Sequence, residues 1–68
     1  MKYKYKIGTE VQGADYIQGD LVCIMEGVII KREKWSGENW YTLGHYQWNG
    51  EYRKGTFLES QLEEIKNE

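Results

Sequence analysis

Alternating apolar and polar residues open the chain and predict an N-terminal strand. Over residues 2–7, Tyr3, Tyr5 and Ile7 fall on one face of that strand and three lysines on the other. The lysines suit an edge strand, because their charge opposes pairing with another chain. Glycines and polar residues over 8–20 predict a loop after this strand.

Three further strands are predicted from apolar runs separated by glycine. The apolar run 21–25 predicts a fully buried strand, and alternating residues over 28–35 predict its continuation. Gly27 between them marks a bulge, a bend or a tight turn. Residues 36–39 predict a turn, and residues 40–48 predict the next strand.

The Asn49-Gly50 pair is the strongest hairpin signal in the chain, because both central residues of a type I′ turn need positive φ. A two-residue loop there pairs Trp48 with Glu51 and determines which side chains share a face. One face of the predicted hairpin carries Trp40, Tyr46, Trp48, Arg53 and Phe57. The other face carries Tyr41, Leu43, His45, Gln47, Tyr52, Lys54 and Leu58. Alternate residues face opposite ways, so one set forms the core and the other is either covered by the chain ends or exposed.

The last segment changes period and predicts a helical end to the domain. Residues 56–59 match a capping box, with a hydroxyl three positions before a carboxylate. Leu58, Leu62 and Ile65 then follow one helical stripe. Residues 57–66 therefore form either a short α-helix or a single 3₁₀ turn followed by a short strand.

Four short motifs, in this order, resemble those of small bacterial and prophage SH3-like barrel proteins. They are Gly19-Asp20-Leu21-Val22, Gly27-Val28-Ile29-Ile30, Trp40-Tyr41-Thr42-Leu43 and Phe57-Leu58-Glu59-Ser60-Gln61-Leu62-Glu63. The resemblance covers roughly residues 17–65 and implies an all-β, five-stranded SH3-like barrel within a single domain, 1–68. It also implies a phage or mobile-element accessory protein that binds and modulates a host protein. Residues 1–16 lie outside the pattern, as an added strand or an arm that pairs with a second copy.

The composition limits how the fold can be stabilised and which partners the protein can bind. A single cysteine excludes an internal disulfide, and one cysteine with one histidine cannot build a structural zinc site, so no metal or cofactor is expected. The ten aromatic residues must therefore supply much of the core. Residues 1–58 carry eight basic and seven acidic side chains, and residues 59–68 are acidic, a balance that disfavours broad binding to duplex phosphates.

The apolar runs also bear on the expected location. None approaches the ~18 residues of a membrane span. Residues 1–6 lack the apolar core of a signal peptide. A cytoplasmic protein without a membrane partner is expected, and Cys23 within the apolar run 21–25 is expected to be buried and inert.

Catalysis is not expected of this chain. His45 is the one residue suited to act as the usual general base. Cys23 is the best nucleophile, but apolar neighbours raise the pKa of a thiol and suppress the thiolate, so a Cys23–His45 dyad is disfavoured. We therefore expect a non-enzymatic protein.

The surplus aromatic residues and their basic neighbours form the candidate binding surface. Its members are Trp35, Trp40, Tyr46, Trp48, Arg53, Lys31 and Arg32. Trp, Tyr and Arg dominate the hot spots of protein interfaces, so a protein partner is the first hypothesis. The alternative is a single-stranded nucleic acid whose bases stack on exposed rings beside a basic rim. Self-association through the strand over residues 2–7 is a third hypothesis.

Overall fold

In the computed structural model, which describes residues 2–65, five antiparallel strands form one sheet. The strands are β1 (Glu10–Ile17), β2 (Asp20–Trp35), β3 (Glu38–Tyr46), β4 (Tyr52–Leu58) and β5 (Leu62–Glu64), with a 3₁₀ turn over Glu59–Gln61. Their order across the sheet is β4-β3-β2-β1-β5. The mostly β class predicted from the sequence is confirmed. The sheet curls but does not close into a barrel, because β4 and β5 remain its two edges.

Two tight turns connect the first three strands. Gln18 and Gly19 have φ angles of 53° and 84°, and Ser36 and Gly37 have φ angles of 53° and 77°. Positive φ at both central residues defines the type I′ hairpin turn, whose twist matches that of the flanking strands. The turn predicted over residues 36–39 is therefore present, in a shorter form.

The loop between β3 and β4 differs from the one predicted. The N–H of Gln47 donates to the carbonyl of Glu51 at 2.8 Å, which leaves Trp48, Asn49 and Gly50 as a three-residue loop. In this loop Gly50 has a positive φ, of 85°, and Asn49 does not, so the turn is not type I′. The strand pairing is displaced by one residue from the prediction, and such a slip moves the side chains of one strand to the other face.

The corrected register brings the core residues of β3 and β4 together. Tyr41 pairs with Phe57, and Leu43 pairs with Gly55. The predicted register, which placed Tyr41 and Phe57 on opposite faces, is wrong. The buried core consists of Tyr5, Val11, Ile29, Tyr41, Leu43, Phe57 and Leu62.

Phe57 joins strands that are not neighbours in the sheet. A Cβ atom at Gly13 of β1 would lie 2.9 Å from three carbons of the Phe57 ring. A Cβ atom at Gly55 of β4 would lie 2.8 Å from the sulfur of Met25. The two glycines therefore make room for the ring inside the curled sheet, and the close approach of backbone and ring favours glycine at both positions.

β1 occupies much of the stretch that was predicted to be a loop, and that prediction is wrong. Val11 is fully buried, and Gly13 packs against Phe57. Both contacts join residues that are far apart in sequence. Gly13 had been interpreted as a loop signal, whereas its role is to admit an aromatic ring, as a glycine inside a strand often does.

Residues 2–9 precede the first strand and do not form one. Tyr5 is buried and Tyr3 packs against the core, whereas Ile7, predicted on the same face of a strand, is exposed. The main-chain N–H groups of residues 4 and 5 donate to a side chain of the sheet and not to a neighbouring strand. The predicted strand is therefore wrong, and self-association through it remains only a prediction.

The apolar run 21–25 forms a strand, as predicted, but the strand is not buried. Leu21, Val22 and Ile24 are each about half exposed, and Cys23 is exposed. The reason is the length of the neighbouring strand, because the β2–β3 ladder begins only at Val28. β2 passes through the predicted bend at Gly27 without a break, and residues 14–25 project from the sheet as a two-stranded ribbon, here called the arm.

The C-terminal segment adopts the second of its two predicted forms. A 3₁₀ turn over Glu59–Gln61 leads into β5, and no α-helix is found within residues 2–65. β5 pairs with β1 through Gly13 and Leu62, and the buried Leu62 side chain anchors it. Met1 and residues 66–68, at the ends of the predicted domain and of the segment 57–66, lie outside the described residues.

Candidate functional site

The convex side of β2, β3 and β4, here called the outer face, carries most of the exposed aromatic side chains. Because alternate residues face opposite ways, the burial of Tyr41 and Leu43 turns their neighbours outwards. Cross-strand pairing then aligns the rows, with Glu33 beside Trp40 and Thr42 beside Thr56. The outer face comprises Lys31, Glu33, Trp35, Glu38, Trp40, Thr42, Tyr46, Tyr52, Lys54, Thr56 and Leu58.

One end of the outer face is a tryptophan pair. The rings of Trp35 and Trp40 meet edge to face, with centroids 6.4 Å apart and an interplanar angle of 66°. Trp35 is 70% exposed, whereas Trp40 is half-buried. With Glu33 and Thr56 they line a shallow depression of about 240 Å³. This pair offers a large apolar surface whose geometry is already set by the edge-to-face contact.

The other end of the outer face is a tyrosine pair. The rings of Tyr46 and Tyr52 lie with centroids 4.7 Å apart, and Tyr46 is 70% exposed. A Cβ atom at Gly44 would lie 2.0 Å from the Tyr52 hydroxyl, so the ring of Tyr52 lies across the space that a side chain would fill. Both rings, with Val28 and Ile30, line a cavity of about 540 Å³. Tyr52 was missed as a site residue because the predicted register placed it on the opposite face.

The surface between the two aromatic pairs is weakly charged. Lys31 forms an exposed ion pair with Glu33, with Nζ and Oε1 3.4 Å apart. Lys54 and Glu38 are the other charged members of the outer face, whose own formal charges balance, and Glu10 and Glu26 line the adjoining cavity beside the tyrosine pair. The hydroxyls of Thr42 and Thr56, 3.4 Å apart, occupy the middle row. The outer face thus presents aromatic ends joined by a neutral polar centre.

The structure brings together four of the seven predicted site residues. Trp35, Trp40, Tyr46 and Lys31 all lie on the outer face. Trp48 lies in the loop after β3 and is 98% exposed, because the corrected register leaves it outside the strand. Its side chain belongs to neither aromatic pair.

The two predicted arginines lie on the other side of the sheet. Arg32 pairs with the buried Tyr41, and its Nη1 donates to the carbonyl of Tyr5 at 3.1 Å. Its guanidinium also lies 4.5 Å from the centroid of the Tyr3 ring, so Arg32 holds the N-terminal segment in place. Arg53 pairs with His45 and faces a groove between the arm and the β3–β4 hairpin.

That groove also contains the two residues considered for nucleophilic catalysis. Cys23 and His45 both line it, and its volume is about 490 Å³. The prediction of a buried Cys23 is wrong, because no strand covers the arm at this point. No hydrogen bond joins Cys23 to His45 in the part of the chain that the structure describes. The groove therefore brings these residues near each other without forming the base–nucleophile contact that catalysis needs.

A network of hydrogen bonds around the Glu59 carboxylate, near the beginning of β3, holds the N-terminal segment. Glu59 accepts hydrogen bonds from the Tyr41 hydroxyl, from Asn39 Nδ2 at 2.9 Å and from the main-chain N–H of Lys4 at 3.1 Å. The Tyr41 hydroxyl in turn accepts from the N–H of Lys4 at 3.0 Å and of Tyr5 at 3.3 Å. Sequence analysis missed this network, since its members come from three separate segments.

The network shifts the pKa values of its two ionisable members, Tyr41 and Glu59, in opposite directions. Burial raises the pKa of Tyr41, and the hydrogen bond to Glu59 adds to that rise. The hydrogen bond from Tyr41 lowers the pKa of Glu59, and the bonds from Asn39 and Lys4 lower it further against the opposing effect of burial. The stable state is therefore a neutral tyrosine donating to an ionised carboxylate. This arrangement is suited to fastening residues 2–5 and lies away from the outer face.

The comparisons of this chain with protein-family models, with curated proteins and with solved structures found no match. Across residues 2–65, no helix is long and apolar enough to cross a membrane. The candidate site is accordingly defined by the geometry of this chain alone. Its main features are the two aromatic pairs and the balanced charge between them.

Proposed function

We propose that this protein is a non-enzymatic protein-binding module and that the outer face is its interface. The observation that carries the proposal is the presence of two exposed aromatic pairs on one sheet face. Trp35 and Tyr46 are the most exposed members of the two pairs. Large exposed aromatic residues are ordinary one at a time, but contiguous apolar patches on a small domain mark interaction sites.

The chemistry of the outer face supports a protein partner over a nucleic acid. Aromatic rings supply large contact areas at low entropic cost, as in the hot spots of protein interfaces. Binding to a single strand also needs cations that follow its phosphates. On the outer face Lys31 is already paired with Glu33, and Lys54 is balanced by Glu38. A partner with a weakly charged, apolar surface complements this face best.

The order of the strands supports an SH3-like relationship in an open form. Each of β1 to β3 pairs with the next strand, and β5 returns to β1 after a 3₁₀ turn. This meander, with its short final strand, is the arrangement implied by the sequence resemblance. A cytoplasmic phage or mobile-element accessory protein that modulates a host protein is the biological role we propose from that resemblance.

Replacing Tyr46 or Trp35 with alanine is expected to weaken partner binding by about tenfold or more each, since hot-spot truncations typically cost over 1 kcal/mol. Both side chains are 70% exposed, so the stability of the fold is expected to change by less than about 0.5 kcal/mol. The measurement is calorimetric titration with the protein that the wild-type chain retains from extracts of cells that produce it, alongside thermal unfolding of each variant.

The matched control is Ile7→Ala, which removes a large apolar side chain, at 57% exposure, from a segment that belongs to neither the outer face nor the arm. It is expected to bind this partner as the wild type does. Unchanged affinity in Tyr46→Ala and Trp35→Ala would contradict the proposed interface. Retention of a single-stranded oligonucleotide, with affinity that falls steeply as salt is raised, would favour the nucleic-acid alternative.

A further inference from the structure

The arm is a second exposed apolar surface, separate from the outer face. Its large apolar side chains are each between 48% and 60% exposed. They are Tyr16, Ile17, Leu21, Val22 and Ile24. A two-stranded ribbon is marginally stable by itself in water, and no other strand flanks the tip of this one among the described residues. Such a surface gains stability when a partner covers it.

All charged residues in the segment 7–30, which contains the arm, are acidic. Residues 7–30 contain Glu10, Asp15, Asp20 and Glu26 and no lysine or arginine. Every Lys or Arg of the chain therefore lies outside the part of β1 and β2 that pairs, from Glu10 to Val28. Charge complementarity across interfaces steers encounter and selects partners, so the arm favours a cationic surface.

The two sides of the arm differ in the charge of the partner that they can accept. On the β2 side, Arg53 faces the groove beside the arm and opposes a cationic partner. On the β1 side, a depression of about 380 Å³ runs from the arm to the 3₁₀ turn and β5. Its described lining includes no basic side chain and consists of Gln12, Ala14, Tyr16, Ser60, Gln61, Leu62 and Glu63.

We propose that the β1 side of the arm docks a segment of a protein partner that combines apolar residues with lysine or arginine. The Tyr16 ring and the apolar tip supply the buried contacts, while Glu63, which lines the depression, pairs with the cations. Glu63 is exposed and makes no ion pair within residues 2–65. This surface shares no side chain with the outer face, so the protein offers two chemically different docking sites.

The same charges disfavour the other occupants of the arm. A dimer that paired two arms would bring acidic residues together with no basic residue of either arm to offset them, since every charged residue within 7–30 is acidic. An anionic lipid surface is opposed for the same reason, because such surfaces attract basic segments. The cationic apolar segment is the occupant that both the exposure and the charge of the arm support.

The test uses the full ¹⁵N-labelled chain and two synthetic ten-residue peptides, one alternating lysine with valine and one alternating glutamate with valine. The lysine peptide is expected to shift the amide resonances of residues 14–25 and 62–64 and to leave those of the outer face in place. The variant Glu63→Lys is expected to weaken its affinity by about tenfold, with weaker binding at higher salt.

A matched control places the same charge change elsewhere, in Glu51→Lys, and is expected to bind the lysine peptide as the wild type does. Tyr16→Ser leaves all charges in place and is also expected to lose affinity, so it tests the same surface if the Glu63→Lys variant fails to fold. Equal binding of the glutamate peptide, equal loss in the control variant, or shifts confined to the outer face would overturn the proposal. Concentration-dependent broadening of the arm resonances without peptide would assign the arm to a second copy instead. The arm is tested with the lysine peptide and the outer face with Tyr46→Ala and Trp35→Ala, so failure of this proposal and failure of the proposed function are distinguishable.

Discussion

Replacing Phe57 with alanine is expected to lower the free energy of unfolding by about 3–5 kcal/mol, the usual cost of truncating a buried aromatic residue. The ring belongs to the edge strand β4, fills the space left by Gly13 and Gly55, and contacts β1, three strands away in the sheet order. Its removal opens a cavity where β1 meets β4. A domain of 68 residues has little stability in reserve, so a large unfolded fraction is expected at 37 °C.

Urea unfolding followed by circular dichroism measures this effect. Tyr52→Ala is the control, because it also removes a ring from β4 but from the exposed side of the strand, and its effect is expected to be much smaller. Gly13→Ala tests the same contact from the other side, since the added Cβ would lie 2.9 Å from the Phe57 ring. Its expected cost is about 1–3 kcal/mol, as for overpacked cores. A smaller loss in Phe57→Ala than in Tyr52→Ala would contradict the corrected register.

Replacing Glu59 with glutamine is expected to lower the stability near neutral pH by about 1–3 kcal/mol, because hydrogen bonds to an ionised carboxylate are stronger than those to an amide. The carboxylate accepts from Tyr41, Asn39 and Lys4, and the variant keeps one acceptor of similar shape. The N-terminal segment is expected to loosen first, since Glu59 and Tyr41 hold it to the sheet. Amide hydrogen exchange at residues 4 and 5 measures that loosening.

The same substitution is expected to change the pH dependence of stability. The pKa of Glu59 is lower in the folded protein than its ordinary value of 4.5, so the folded state binds fewer protons than the unfolded chain. The stabilisation is present above that ordinary value and is lost as the pH falls through the lower folded value. Glu59→Gln is expected to remove this part of the acid-induced loss, whereas Glu51→Gln, in the exposed loop, is expected to preserve it. An identical acid dependence in wild type and Glu59→Gln would contradict the network.

The alkaline side of the pH dependence follows from Tyr41. Its pKa is raised above the ordinary value of 10.0, so the folded state retains the proton more strongly than the unfolded chain does. This contribution is present below pH 10.0 and is lost as the pH rises through the higher folded value. Stability is therefore expected to be greatest between the two limits, where Tyr41 is neutral and Glu59 is ionised.

Local patterns were sufficient to predict the β class, the strands β2 to β4 and the turn near Ser36. They could not determine the β3–β4 register, because Asn49-Gly50 is compatible both with a two-residue loop and with the three-residue loop observed. That single residue of displacement reassigned Phe57 to the core and Tyr52 to the outer face. Two of the aromatic residues were thus misassigned by one local ambiguity.

Burial depends on what lies across from a residue, and a sequence pattern does not contain that information. The run 21–25 is apolar enough to be buried, yet β3 ends its pairing at Val28 and leaves the run exposed. Conversely, β1 contains a glycine and few strong strand formers, yet Val11 is fully buried. The candidate site was therefore predicted in its residue types, through Trp35, Trp40 and Tyr46, but not in its extent.

The most direct test of the binding role is photo-crosslinking from two positions on opposite faces of the same hairpin. A benzophenone-bearing residue is introduced in place of Tyr46, on the outer face, or of Arg53, which faces the groove. After irradiation in cells that produce the protein, a discrete protein adduct is expected from position 46 and is expected to be lost in combination with Trp35→Ala, and no such adduct is expected from position 53. An adduct from position 53 alone, or adducts with nucleic acid in place of protein, would contradict the proposed interface.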